Sequence, residues 1–228
     1  AFMDEMTWLD YLPVLGQGAW VTVQLTVWST LFGALLAFAA GLGKLARNAA
    51  VRGLSVAYIE IFRGTSLLVQ LFWLYFALPL VGQAIGINLR LPPVTAGILA
   101  LSLNIGAYGA EVVRGAVQAV TRQQYEAARA LNFTPRQTLF RIALPQAIPE
   151  MMPPFDNLAI QNLKDTALVS LISLADLAMR AEQLRNYTQD STTIYTLVLL
   201  MYFGMALVLT AFMRGLSSMV GRWRPAQR

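Results

Sequence analysis

The stretch from Thr121 to Pro145 reads Thr-Arg-Gln-Gln-Tyr-Glu-Ala-Ala-Arg-Ala-Leu-Asn-Phe-Thr-Pro-Arg-Gln-Thr-Leu-Phe-Arg-Ile-Ala-Leu-Pro, and its punctuation predicts two short helices around a tight turn. Gln123 to Leu131 holds good helix formers, with Tyr125, Ala128 and Leu131 recurring every three residues as an apolar stripe. Asn132 follows where the helix should stop, and asparagine readily adopts the left-handed conformation that closes a helix. Thr134 before Pro135 is an N-cap with proline at the first helical position, so a second helix starts there. Pro145 is expected to end it.

The flanks of this polar hairpin are far more apolar. Of the 228 residues, 57% are hydrophobic and 13% charged, and the mean hydropathy is +0.54. That is more apolar surface than one water-soluble core can hide. Charge-free runs at Tyr11–Gly43, Gly64–Leu89, Leu91–Ala110 and Ser191–Met213 reach the roughly 20 residues needed to cross a bilayer.

Basic residues mark the sides of the membrane. They cluster at Lys44, Arg47 and Arg52, then at Arg114, Arg122, Arg129, Arg136 and Arg141, then at Arg214, Arg222, Arg224 and Arg228. Loops rich in Lys and Arg stay on the cytoplasmic side, so all three clusters are expected in the cytosol. The acidic start, with Asp4, Glu5 and Asp10, is then outside. It lacks the cationic opening of a signal peptide, so the first apolar run is expected to remain in the mature protein.

Span one runs inward and ends near Lys44. Span two starts near Ile59 and emerges before the Gly-rich stretch Val81 to Asn88, and span three re-enters from Pro92 and reaches the cytosol near Arg114. Because Ser191–Met213 must run inward, an outward span has to lie between Pro145 and Met179. That segment carries Pro145, Pro149, Glu150, Pro153, Pro154, Asp156, Asn157, Asn162, Lys164 and Asp165. Broken or charged backbone is tolerated at membrane depth only where protein or water covers it, so this segment should line the interior of the assembly. The expected fold is an all-α integral membrane protein with five spans and a cytoplasmic hairpin at 122–145, residues 1–228 forming one domain.

At this point the residues carry a family likeness. Glu126-Ala127-Ala128, then Asn132, then Ile142, Leu144 and Pro145 resemble the Glu-Ala-Ala signature of ABC-importer permeases, in which three residues separate the triplet from a glycine and nine more lead to Ile-x-Leu-Pro. The spacing matches throughout, and Asn132 replaces the glycine while keeping tolerance of positive φ. Glu60-Ile-Phe-Arg-Gly-Thr-Ser-Leu-Leu-Val-Gln70, Asn104 to Arg114 and Leu163 to Ser170 are similar to the second, third and fourth spans of the type I subfamily that takes up polar amino acids, the histidine-permease-like group. Ser66, where proline is more usual, and Asn132 resemble its ectoine-type branch.

The resemblance implies a permease subunit of a bacterial inner-membrane importer. In that family the hairpin is the coupling helix gripped by a cytosolic ATPase dimer, and here it would use Tyr125, Glu126, Ala127, Ala128, Arg129, Leu131, Asn132, Phe133 and Pro135. It also implies a second permease subunit, identical or paralogous, and an external solute-binding protein. The cargo would be a polar amino acid, an opine or an ectoine-type zwitterion. A basic amphipathic hairpin lying on anionic lipid is the bland alternative.

Ionisable groups within spans cost about 2.5–3.5 kcal/mol on insertion scales and so invite functional readings. Glu60 and Arg63, and Glu111 and Arg114, are each three apart near the cytosolic end of a span. They fit ion pairs, within or between helices, or a gate. Asn104, Tyr108, Asn162, Asp165 and Thr166 form the candidate solute pathway, since a zwitterion needs both an acceptor and a donor in a desolvated site. A Lys164–Asp165 pair stabilising a helix break competes with that reading. Gly33, Gly41, Gly43, Gly97, Gly106 and Gly109 suit close helix packing; Trp8, Trp20, Trp73 and Trp223 suit interfacial anchoring.

The exclusions are chemical. Cysteine and histidine are absent, which removes thiolate nucleophiles, imidazole bases and the usual zinc ligands. The positive charges bound apolar runs and form no aromatic-interleaved stripe for nucleic acid. No phosphate-cradling Gly-x-x-x-x-Gly-Lys-Ser/Thr loop occurs, so no cofactor is expected on this chain, and ATP and Mg are expected on the partner ATPase. A passive channel or ion-coupled carrier is the rival class; a channel would need pore-lining repeats and no docking hairpin.

Overall fold

The computed structural model describes residues 8–221, and every regular element among them is helical. Asp4, Glu5, Arg222, Trp223, Arg224 and Arg228 lie outside the described residues. Helix α1 covers Trp8–Lys44, α2 Ala49–Gly64, α3 Leu67–Phe72, α4 Leu78–Ala84, α5 Pro93–Ala119, α6 Arg122–Ala130, α7 Pro135–Thr138, α8 Leu144–Asp165, α9 Leu177–Thr188 and α10 Ser191–Gly221.

Among the described residues, four stretches are long and apolar enough to cross a membrane: Leu9–Lys44, Leu67–Ala84, Pro93–Ala119 and Ser191–Val220. The fifth crossing segment is α8, which composition alone would not reveal. It is buried through Ala147, Met151, Met152, Ala159, Asn162 and Leu163, so protein covers its polar residues as a low-dielectric setting demands.

The core is stacked along α1. At one end Tyr11 and Leu15 pack with Leu177, Ala181 and Leu184 of α9 and Ile194 of α10. In the middle Leu25 meets Leu71, Ala96, Ala100, Leu101, Val169 and Ile172. At the other end Ala37 meets Val113 and Val117 of α5, with Ala143, Leu144, Ala147 and Met151. Helices α1 and α5 approach closely because small residues line their contact: a Cβ on Gly41 would fall 2.6 Å from the Ala110 carbonyl oxygen. Most of α10 is uncovered by the chain itself, with Leu199, Phe203, Val208 and Phe212 exposed.

Several boundaries differ from the sequence expectation. Among the described residues α1 runs from Trp8 and carries Pro13 in its second turn without a break in the helix, where proline forgoes one internal hydrogen bond. Span two is two helices: α2 begins at Ala49, where the Asn48 side chain accepts from Ala50 N and Val51 N, and breaks at extended Thr65 and Ser66 before α3.

Pro145 does not end the second hairpin helix. Leu139–Ala143 widens into a π turn that runs into α8. A regular helix would drive the proline ring into the carbonyl four residues earlier, and that residue, Arg141, lies inside the wider turn. The same device precedes Pro79, where Trp73–Ala77 is a π turn and Tyr75 is the residue four before the proline. Nor is α8 broken by Pro149, Pro153 and Pro154; its packing against α1, α5 and α10 overrides the local penalty. The break comes after Asp165, where a 3-10 turn over Thr166–Ile172 ends on Ser173 at φ 63.

Candidate coupling hairpin and translocation cavity

Residue chemistry fixes the hairpin at each of its corners. Helix α6 closes in a Schellman arrangement: Phe133 N donates to Ala128 O at 3.0 Å and Asn132 N to Arg129 O at 2.9 Å, with Asn132 left-handed at φ 57. One residue on, Thr134 and Gln137 form a reciprocal capping box, with contacts of 2.8 and 3.3 Å, and Pro135 opens α7. These bonds use up helix-end groups that would otherwise need water.

The hairpin is anchored to the spans through Tyr125. Its hydroxyl donates to Val117 O, near the end of α5, at 3.1 Å, and its ring packs on the cluster of Ala37, Val113 and Met151. Burial pushes the phenol pKa up, so it stays a donor at neutral pH. Ala128 is fully buried beside it. Glu126, Ala127, Arg129, Asn132 and Pro135 are exposed and Phe133 is half-buried. Glu126 is held by Arg122 at 3.0 Å. Leu131, expected on the buried stripe, is instead 68% exposed, because α6 ends at Ala130 and the capping turn swings it outward.

Beside the hairpin an ionic cluster ties three helices. Lys44 Nζ lies 2.6 Å from Glu111 Oε1 and 3.8 Å from Glu60 Oε1, and Arg114 holds the other oxygen of Glu111 at 2.8 Å while also donating to Gln118. Glu111 and Arg114 pair as their spacing suggested. Glu60 and Arg63 diverge: Glu60 faces Lys44 across to α1, and the Arg63 guanidinium sits over the Tyr108 ring, 5.5 Å from its centroid. The sequence marks Lys44 only as a topology signal, because its partners Glu60 and Glu111 belong to other helices.

Deeper in the bundle, a cavity of about 430 Å³ is lined by Thr65, Ser66, Asn104, Tyr108, Gln161, Asn162 and Asp165, with Leu67, Leu101, Ile105 and Leu158. Asp165 Oδ1 accepts from Gln161 Nε2 at 2.8 Å. It is the one ionisable carboxylate among the lining residues, and no Lys or Arg shares the wall. Asn162 spends its amide hydrogens on Ser29 Oγ at 2.7 Å and Thr30 Oγ1 at 2.9 Å, so it fastens α8 to α1. Asn104 donates to Phe62 O and Gln70 Oε1.

Thr166 is not on the cavity wall. It is fully buried and donates to Leu163 O at 2.7 Å, because the 3-10 turn after Asp165 rotates it into the core. Gln161 and Thr65 were missed by the sequence reading; the four-residue spacing of Gln161 and Asp165 on one helix face was the available signal for the first.

A fold of five spans with a folded cytoplasmic-type hairpin is shared with proteins of known class. Residues 29–222 match the family described as binding-protein-dependent transport system inner membrane component. The chain belongs to this family. It is an ABC transporter permease, as the Glu-Ala-Ala signature implied.

Individual similarities agree with that membership. The chain is 68% identical to a probable amino-acid ABC transporter permease protein, y4tF, of Sinorhizobium fredii, over 98% of this chain and 94% of the relative. It is 31% identical to the glutamine transport system permease protein GlnP of Escherichia coli, over 90% and 92% of the two chains. Among solved structures, an amino acid ABC transporter crystallised with histidines superposes with a TM-score of 0.82 at 32% identity, over 92% of this chain and 96% of that one. The fold is that of type I ABC importer transmembrane domains.

Proposed function

We propose that this permease forms half of the translocation path of an ATP-driven, binding-protein-dependent importer for a polar amino acid or a closely related small zwitterion. The observation that carries the reading is the doubly capped hairpin: an exposed Glu126–Pro135 surface fixed by the Asn132 turn and bonded to α5 through Tyr125. A rigid surface of this kind suits a partner that pushes on it. The amino acid cargo is supported by the names of the relatives at 68% and 31% identity and by a cavity of about 430 Å³ that has Asp165 on an otherwise largely apolar wall.

In this mechanism a cytosolic ATPase dimer, holding ATP and Mg, closes and draws together the hairpins of two permease subunits, identical or paralogous. The spans then exchange an inward-open for an outward-open cavity, and an extracytoplasmic binding protein delivers solute into it. The chain sits in a bacterial inner membrane with the start of α1 outside and the hairpin and C-terminus in the cytosol, the arrangement that keeps the basic clusters inside. Within the cavity Asp165 accepts from the solute's ammonium group and Ser66 offers a hydroxyl, with Tyr108, under the Arg63 guanidinium, on the same wall.

The deciding experiment is purification of the chain from its native membrane with its neighbours, followed by reconstitution. Co-purification of an ATPase, and uptake abolished by Glu126→Lys, are the expected results. A chain that brings no ATPase with it, or uptake indifferent to Glu126→Lys, refutes the reading.

A further inference from the structure

The break between α2 and α3 exposes carbonyls that a continuous helix would satisfy. At the end of a helix the last four C=O groups lack internal partners, and within a membrane each must find one in the protein. Here Thr65 and Ser66 are both extended, at φ −120 and ψ 154 and at φ −69 and ψ 136. Both residues line the cavity.

One side chain reaches back to close the gap. Gln70, 8% exposed, sits in the second turn of α3, and its Nε2 donates to Phe62 O at 2.9 Å, Thr65 O at 3.1 Å and Thr65 Oγ1 at 2.8 Å. A carboxamide has two hydrogens, so three acceptors require one to be shared. Its Oε1 in turn accepts from Asn104 Nδ2 at 3.2 Å, and the same Asn104 nitrogen donates to Phe62 O at 3.3 Å. Thr65 Oγ1 passes its own hydrogen to Ile61 O at 2.8 Å. The end of α2, the break, α3 and α5 are thereby joined through one amide.

We infer that Gln70 is a positioning residue for transport: with Asn104 it holds the α2–α3 break extended, so that Thr65 and Ser66 face the cavity and Arg63 stays over Tyr108. This rests on the reading of the cavity as part of the solute's path. It also reassigns Asn104, whose amide hydrogens serve the break instead of a solute.

The test uses the complete transporter complex in membrane vesicles, and because this chain has no cysteine, Ser66→Cys gives it a single thiol whose labelling is read on this subunit's band after electrophoretic separation. Adding Gln70→Leu or Gln70→Glu to S66C, each of which removes the amide donors, is expected to change labelling by a water-soluble maleimide roughly fivefold or more. With Ser66 restored, both variants are expected to lower the maximal uptake of whichever radiolabelled proteinogenic L-amino acid the parent complex carries by roughly tenfold. The half-saturating concentration of loaded binding protein should stay within about twofold, and Asn104→Leu should add little to Gln70→Leu because both act on one network.

Labelling that stays at the parent rate in both variants overturns the inference, as do losses that multiply independently in the Gln70→Leu, Asn104→Leu double variant. Gln70→Glu keeps the side-chain volume and decides the matter if Gln70→Leu does not assemble. A parent complex that carries neither an L-amino acid nor a related small zwitterion refutes the functional reading, and the labelling result still decides the role of Gln70.

Discussion

Lys44 Nζ and Glu111 Oε1 meet at 2.6 Å, joining the last residue of α1 to α5 across 67 positions of sequence. Both side chains are mostly shielded, at 23% and 18% exposure. Breaking a fully buried pair costs about 3–5 kcal/mol by stranding one charge, and an exposed pair contributes about 0.2–1 kcal/mol. Lys44→Met should therefore destabilise the detergent-solubilised protein by about 2 kcal/mol, between those limits. Because Arg114 also holds Glu111 at 2.8 Å, the Lys44→Met, Glu111→Gln double variant should lose more than Lys44→Met alone, read as the midpoint of chemical unfolding.

Asn132 at φ 57 makes a second prediction. Asn132→Gly should leave the unfolding midpoint and uptake near the parent, since glycine adopts the left-handed region freely. Asn132→Val should cost about 1–2 kcal/mol, the penalty for forcing a side chain into that region, and uptake should fall with it. Equal behaviour of the two variants would count against the turn as the determinant.

Tyr125→Phe removes one hydroxyl and leaves the ring. The Val117 carbonyl, bonded at 3.1 Å, loses its donor, at a net cost of about 1 kcal/mol. We expect a folded complex in which ATP hydrolysis continues while uptake per ATP declines. That ratio, measured in proteoliposomes, separates a loosened hairpin from a lost one.

Asp165→Asn keeps the shape of the cavity wall and can still pair with Gln161. Charge-assisted hydrogen bonds contribute about 1.5–3 kcal/mol, so uptake of a solute bearing an ammonium group should fall roughly tenfold or more. Unchanged uptake would remove Asp165 from the path.

Gly41→Val would place carbon 2.6 Å from the Ala110 carbonyl oxygen and 2.8 Å from Val113 Cβ. Backbone cannot yield as a flexible side chain would, and overpacking costs about 1–3 kcal/mol. The expected readout is a lower thermal midpoint with reduced assembly.

The parts of this protein written in local sequence were legible, and those made by distant contacts were not. Asn132, Thr134 and Pro135 announce the hairpin because capping chemistry acts within a few residues. The need for a further crossing segment between Pro145 and Met179 followed from charge bias alone. The extent of α8 did not: four prolines argued for a break, and only packing on α1, α5 and α10 explains a helix running to Asp165. Thr166 was misplaced because one residue beyond a helix end a 3-10 turn reverses its direction. Lys44 with Glu111, Asn162 with Ser29, and Gln70 with Phe62 are choices among many chemically equal partners, and periodicity carries no information about which is made.

The π turn at Leu139–Ala143 carries one further implication. It carries the chain past Pro145 with no gap in helical structure, so Pro135 to Asp165 is one continuous run of helical turns, roughly 45 Å along its path. The hairpin and the Asp165 carboxylate therefore lie at the two ends of one unbroken run of helical turns. Inserting one residue along that run would turn Asp165 by about 100° relative to the hairpin, so the angular phase between hairpin and cavity is set by the residue count separating them.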